Sequence, residues 1–207
     1  MQLLLIRHAL PVRRERVEGP ADPELSEAGH AQVQHLARYL ASEPLTALYS
    51  SPLRRAKQTA APLAQERDLP LQVLDGLAEF DRGSASYIPA EELKAANGQQ
   101  WKDLLAGRHD HEGFAGADHF RALVLASMED IITSNEGGVV AVVCHAGVIG
   151  SYLAHILGIT LVGPSFFAPN YTSISRVMAS RKGNRSLFTM NETSHLRGTG
   201  LPTGLYD

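Results

Sequence analysis

The chain has 207 residues, enough for one domain of ordinary size or one carrying a small elaboration. Apolar residues make up 44% and charged ones 20%, which excludes a disordered or collagen-like chain. Nineteen Lys and Arg against 22 Asp and Glu leave a net charge of -3, so nothing draws the surface to nucleic acid or to an anionic membrane. The single cysteine, Cys144, cannot form an internal disulfide, so stability must come from the core and a reducing compartment fits. Residues 1–10 already contain Arg7 and His8, too polar for a secretory signal, and the longest apolar stretch, Val139 to Cys144, is far below a membrane span. These features predict a soluble, cytoplasmic protein.

Leu3 to Ile6 is a short continuous apolar run, the mark of a strand covered on both faces. A polar loop from Pro11 to Glu24 follows. Val33, Leu36, Ala37 and Leu40 then recur at helical spacing, with Ser26 placed as the N-cap. Ala47 to Ser50 reads as a second strand. Ser51 and Pro52 fit the N-cap and first position of a helix carrying Leu53, Ala56, Ala60, Leu63 and Ala64 on one face, which Pro62 should bend or end early. Leu71 to Leu74 is a third strand.

Between Glu79 and His119 the pattern weakens to helical fragments at Glu91 to Ala96 and Gln100 to Ala106, read as a lid or insertion at about 80–119 over one end of the sheet. Phe120, Leu123, Val124, Met128, Ile131 and Ile132 define an amphipathic helix ended by Gly137 and Gly138. Val139 to Cys144 is the strongest buried strand, and Gly147 to Leu157 is helical. Thr172 to Met178 and Ser186 to Met190 form a hairpin around Lys182-Gly183-Asn184, with an edge on which a homodimer could form. The last dozen residues, rich in glycine, are expected to lie loosely on the surface. The whole chain, 1–207, reads as a single α/β domain: a three-layer α/β/α sandwich, its sheet mainly parallel with one antiparallel strand.

In such sheets ligands sit beyond the carboxyl ends of the strands. The first strand leads into Arg7 and His8, and Val139 to Cys144 leads into His145. The segment Ser50 to Arg54 opens a helix with Arg54 in its first turn. Two imidazoles, two guanidinium groups and a helix N-terminus therefore converge. Guanidinium forks and unpaired helix amides suit phosphate oxygens, and a neutral histidine is a usable nucleophile whose attack on phosphorus gives a phosphohistidine. His145 could equally be a satisfied core histidine, and Arg54 a solvated helix residue. The order of the three segments along the chain favours phosphate chemistry.

At these residues the chain resembles the histidine phosphatase superfamily, which includes the cofactor-dependent phosphoglycerate mutases. The matching segments are Leu5 to Ala9, Asp22 to Gln32, Tyr49 to Ala60 (with its Ser-Pro-Leu-x-Arg-Ala-x-Gln-Thr-Ala), Leu77 to Glu79 with Gly83, and Val142 to Gly147. The resemblance implies that His8 is the phosphorylated nucleophile and that Arg7, Arg54 and His145 form the phosphate pocket, with Ala146 opening the helix beside it. It implies that Glu79 is the proton donor to the leaving oxygen. Asp81, two residues on, is the competitor, and the family's spacing favours Glu79. A carboxylic acid in that role needs a raised pKa. No metal and no cofactor are implied, because the cationic pocket neutralises the phosphoryl oxygens.

The chain departs from the family after the first histidine, where Gly, Ser or Thr, and Asn are replaced by Ala9, Pro11 and Arg14. Arg13, Arg14 or Arg16 can supply a cationic substitute for the lost Asn, or can be a solvated loop. The broken loop pattern and the unfamiliar lid favour a phosphatase of a small phosphorylated metabolite. The alternatives are an isomerase of the mutase type and a non-catalytic binder of phosphorylated ligands. His109 to Glu112 offers metal-ligand chemistry but sits in a polar loop with no third cluster, so solvation is the simpler reading. Cys144 and His145 are neighbours in a strand and point to opposite faces, so they form no catalytic pair. No Gly-x-Ser-x-Gly elbow, Walker loop or Gly-x-Gly-x-x-Gly is present. Tyr171 to Arg176 and Asn191 to Arg197 stand out at the C-terminal edge with no chemical role assigned.

Overall fold

The computed structural model describes residues 1–106, 116–160 and 167–204. Its centre is a six-stranded sheet of β1 (Gln2–Arg7), β2 (Leu45–Ser50), β3 (Leu71–Val73), β4 (Val139–Cys144), β5 (Ile174–Ala179) and β6 (Arg185–Glu192). Their spatial order is β3-β2-β4-β1-β5-β6. The first four pair in parallel, and β5 alone runs against its neighbours, as the alternation of strands and helices predicts.

Strands β1 and β4 are apolar throughout because both of their faces are covered. On one face Leu4, Ile6 and Val143 pack against Leu36, Ala37 and Leu40 of α1 (Glu27–Tyr39) and Ala56, Ala60 and Leu63 of α2 (Arg54–Arg67). On the other, Leu3, Leu5 and Val142 meet Met128, Ile131 and Ile132 of α5 (Ala117–Ser134) and Ile149, Tyr152 and Leu153 of α6 (Ala146–Leu157). Two short helices, α3 (Ala90–Ala96) and α4 (Gln99–Leu105), lie between β3 and α5 in the chain. No helix among the described residues is long and apolar enough to cross a membrane.

Ser26 caps α1 as its sequence indicates, accepting from the Gly29 amide at 3.0 Å, a contact worth about 1 kcal/mol. Position 29 admits no side chain, since a Cβ there would lie 2.1 Å from the Leu10 carbonyl oxygen. Helix α2 differs from expectation twice. Its cap is Leu53 rather than Ser51, and it runs unbroken through Pro62 to Arg67. Burial of Ala56, Ala60 and Leu63 against the sheet offsets the roughly 3 kcal/mol that an interior proline costs.

The tail also departs from the sequence reading. Pro202 accepts from the Gln32 side chain at 2.6 Å and Thr203 from the Tyr171 amide at 2.7 Å, so residues up to 204 are tied to the body of the protein. Residues 109–112, the metal-ligand candidates, lie outside the described residues.

Candidate active site

Three parallel strands end side by side, and hydrogen bonds carry their register one residue further. The His8 amide donates to the Cys144 carbonyl at 2.9 Å, and the Ser51 amide donates to the Val143 carbonyl at 3.0 Å. His8 and Ser51 therefore flank the end of β4, where His145 caps α6. The two imidazoles meet with ring centroids 5.0 Å apart. Both are buried.

His8 Nδ1 lies 2.8 Å from the Ala9 carbonyl oxygen. A carbonyl can only accept, so Nδ1 carries the hydrogen and Nε2 keeps its lone pair. Burial, then the charges of Arg55 and Arg7, hold the His8 pKa well below the usual imidazole value, so the ring is neutral. His145 is lowered in the same way, by burial, Arg55, His8 and Arg7. Its Nε2 is 2.7 Å from the Ser51 hydroxyl, and its Nδ1 is buried without a partner among the described residues.

Two guanidinium groups flank these rings. Arg7, 9% exposed, donates through Nη1 to the Pro169 carbonyl at 2.8 Å and stacks 3.9 Å over the Tyr171 ring. Tyr171 in turn lies 5.9 Å from the His8 ring. The second is Arg55, 1% exposed, which pairs with Asp81 at 2.8 Å and sits 4.7 Å over Tyr87. Arg7 Nε and Arg55 Nε and Nη1 are buried with no partner among the described residues. Buried donors of this kind are rare unless a ligand satisfies them, and an anion is what they fit.

Arg54, the arginine expected in the pocket, points the other way. Its side chain is 54% exposed and pairs with Glu24 at 3.2 Å, while its amide donates to Asp22. Successive helix residues are about 100° apart, so only one of the two can face the crevice. Thr59, one turn beyond Arg55, shows which: it is buried and accepts the Ala9 amide at 3.0 Å. That spacing in the sequence carries the signal that selects Arg55.

Glu79 follows the turn at Asp75–Leu77 and is buried. Its Oε2 accepts the Gly147 amide at 2.8 Å and its Oε1 the Phe80 amide at 3.1 Å. Burial, then the Asp81 charge, push its pKa up to about 7. Asp81, the rival carboxylate, is engaged by Arg55. Ala146 is the first residue of α6, so its amide is among the donors the helix itself leaves unpaired.

The expected substrate-loop arginines are ion-paired at the surface. Arg13 bridges Glu15 and Glu92, and Arg14 pairs with Glu24, while its backbone forms a two-way bridge with Tyr87. The C-terminal segments without an assigned role turn out to wall the site. Thr172, at a positive φ of 54°, donates its amide to the Arg7 carbonyl at 3.1 Å, and its hydroxyl meets buried His195 at 2.9 Å. Asn191 accepts the Asn170 amide at 2.7 Å. A carboxylate of α3 and a hydroxyl of this wall also meet, where Tyr171 donates to Glu91.

Residues 3–193 match the family model described as histidine phosphatase superfamily (branch 1). Phosphoserine phosphatase 1 of Hydrogenobacter thermophilus is 29% identical over 203 residues, covering 95% of this chain and 94% of that protein. The metal-independent phosphoserine phosphatase of Arabidopsis thaliana is 29% identical over 208 residues, covering 97% and 85%. The phosphoserine phosphatase of Entamoeba histolytica, solved in complex with 3-phosphoglyceric acid, superposes with a TM-score of 0.74 at 25% identity, covering 94% of this chain and 98% of that one.

Proposed function

The chain belongs to the histidine phosphatase superfamily (branch 1), it is a phosphatase of small phosphomonoesters, and we propose that it hydrolyses phosphoserine through a phosphohistidine on His8. The observation that carries the mechanism is the Nδ1–H donated to Ala9, which leaves the His8 Nε2 lone pair as the nucleophile. Relatives named for phosphoserine support the choice of substrate.

In the first step Nε2 attacks phosphorus, the N–P bond forms and the P–O bond to the serine oxygen breaks. The departing alkoxide takes the proton of Glu79, which at a pKa of about 7 is held in part as the acid at neutral pH. Arg7 Nε and Arg55 Nε and Nη1 donate to the equatorial phosphoryl oxygens. Ser51 donates to His145 Nε2, so that His145 Nδ1–H is a further neutral donor to the same group. In the second step the Glu79 carboxylate accepts a proton from water, whose oxygen attacks the phosphohistidine. The N–P bond breaks, inorganic phosphate leaves and Nε2 regains its lone pair. No step uses a metal. We place the enzyme in the cytoplasm on its lone buried thiol, Cys144.

Rapid acid quenching after mixing with radiolabelled phosphoserine tests this reading. An acid-labile label on the wild-type protein, lost in His8→Ala together with phosphate release, is the expected result. Activity that survives in His8→Ala, or that EDTA abolishes, overturns it.

A further inference from the structure

A carboxylate facing a pocket built for a dianion is electrostatically unhelpful unless it has a cation to meet. Three acids around this site have theirs: Glu92 pairs with Arg13, Glu24 with Arg14 and Arg54, and Asp81 with Arg55, while the proton donor Glu79 is held by two backbone amides. Glu91 has no ion pair among the described residues, where its side chain accepts only from the neutral Tyr171 hydroxyl, to Oε1 and Oε2 at 3.1 and 3.2 Å. Glu91 stands in the first turn of α3.

The place of this charge is fixed from two sides. Tyr171 is buried beside Arg7 and His8, and Glu91 sits at the hydroxyl end of this phenol ring, whose centre is 5.9 Å from the nucleophile's. The adjacent Glu92–Arg13 pair at 2.8 Å ties α3 to the loop after β1. Tyr87, four residues before Glu91, lies under Arg55 with the guanidinium 4.7 Å from its ring and exchanges two backbone hydrogen bonds with Arg14, so the chain leading into α3 passes beside the phosphate donors.

We propose that Glu91 binds an ammonium group of the substrate and so makes the enzyme selective for phosphate esters of amino alcohols. In phosphoserine the ammonium nitrogen is four bonds from phosphorus, and Glu91 is one tyrosine side chain from the nucleophile. The inference deepens the phosphoserine reading and rests on it for the natural substrate. The charge relation itself concerns any ester with a cation at that distance.

3-Phosphoglycerate is phosphoserine with a hydroxyl in place of the ammonium, so the ratio of kcat/KM for the two esters isolates Glu91. The wild-type ratio is expected to favour phosphoserine, and Glu91→Gln, which keeps an acceptor for Tyr171, should lower that ratio at least tenfold, mainly through KM. An unchanged ratio overturns the proposal, whether both activities fall together, as for a purely structural latch, or neither falls. Should Glu91→Gln fail to fold, O-phosphoethanolamine and 2-hydroxyethyl phosphate give the same comparison on the wild-type enzyme, and equal kcat/KM overturns it. Turnover of p-nitrophenyl phosphate with neither phosphoserine nor 3-phosphoglycerate hydrolysed sinks the phosphoserine reading, while the ethanolamine pair still decides the role of Glu91.

Discussion

The Glu79 carboxylate accepts the Gly147 amide at 2.8 Å, and its other oxygen occupies the space a side chain at position 147 would need. A Cβ built there lies 2.3 Å from Oε1 and 3.0 Å from the Phe80 ring. The glycine after His145-Ala146 is thus a condition for seating the acid against the start of α6. Gly147→Ala should push the carboxyl aside and leave the phosphate donors in place. The expected result is a fall in kcat on phosphoserine of about a hundredfold, the usual worth of a positioned acid. On p-nitrophenyl phosphate, whose leaving group needs no proton, the fall should be under tenfold. Equal losses on both substrates would mean that the acid is not what the substitution displaces.

The pH profile should be set by two displaced groups. His8 must be neutral to attack, and burial with Arg55 and Arg7 beside it lowers its pKa well below 6.5, so activity should persist on the acid side of the usual imidazole limb. Glu79 must be protonated to donate, which places an alkaline limb near pH 7 in kcat/KM for phosphoserine. Glu79→Gln should lose that limb together with most of the rate. A profile that still falls through pH 7 in the variant would assign the limb to another group.

The same raised pKa has a consequence for stability. Folding favours protonated Glu79, so its contribution is complete below pH 4.5, the ordinary carboxyl value, and is lost as pH rises through about 7. Replacement by the neutral amide removes that loss. In urea titrations Glu79→Gln should therefore be more stable than wild type at pH 8, by roughly 2–3 kcal/mol, with the difference vanishing near pH 4.5. A variant less stable than wild type at pH 8 would show that the two amides from Gly147 and Phe80 outweigh desolvation.

The sheet was readable because its strands are continuous apolar runs and its helices keep one apolar face. Leu3 to Ile6, Val139 to Cys144 and the stripe from Val33 to Leu40 each carry their own burial pattern. His8, His145 and Glu79 were readable because they follow strands or a fixed spacing within a motif. What short-range pattern could not convey was contact across the chain. Tyr171 and Glu91 are 80 residues apart and meet only through the fold. Thr172 reads as a strand residue, yet it takes a left-handed turn beneath Arg7 and leans on His195. The glycine-rich tail reads as loose because its ties, at Pro202 and Thr203, are backbone carbonyls that any residue offers.

Two adjacent arginines differ by one helical step, and one step decides between a phosphate ligand and a surface charge. Arg55 is buried, with Nε and Nη1 lacking partners among the described residues, whereas Arg54 is half in solvent beside Glu24. Two charge-assisted hydrogen bonds at roughly 1.5 kcal/mol or more each correspond to a loss of at least a hundredfold when the guanidinium is removed. Arg55→Met, which keeps the length of the stem, should lower kcat/KM by that factor and weaken inhibition by inorganic phosphate to match. Arg54→Met should cost less than about fivefold, and its effect should shrink as salt screens the rim charge. Asp81, which loses its partner in Arg55→Met, adds a repulsion towards Glu79, so the alkaline limb should also move up in that variant. If Arg54→Met proves the more damaging of the two, the phosphate is bound at the rim, and the buried pair of Arg55 and Asp81 is structural only.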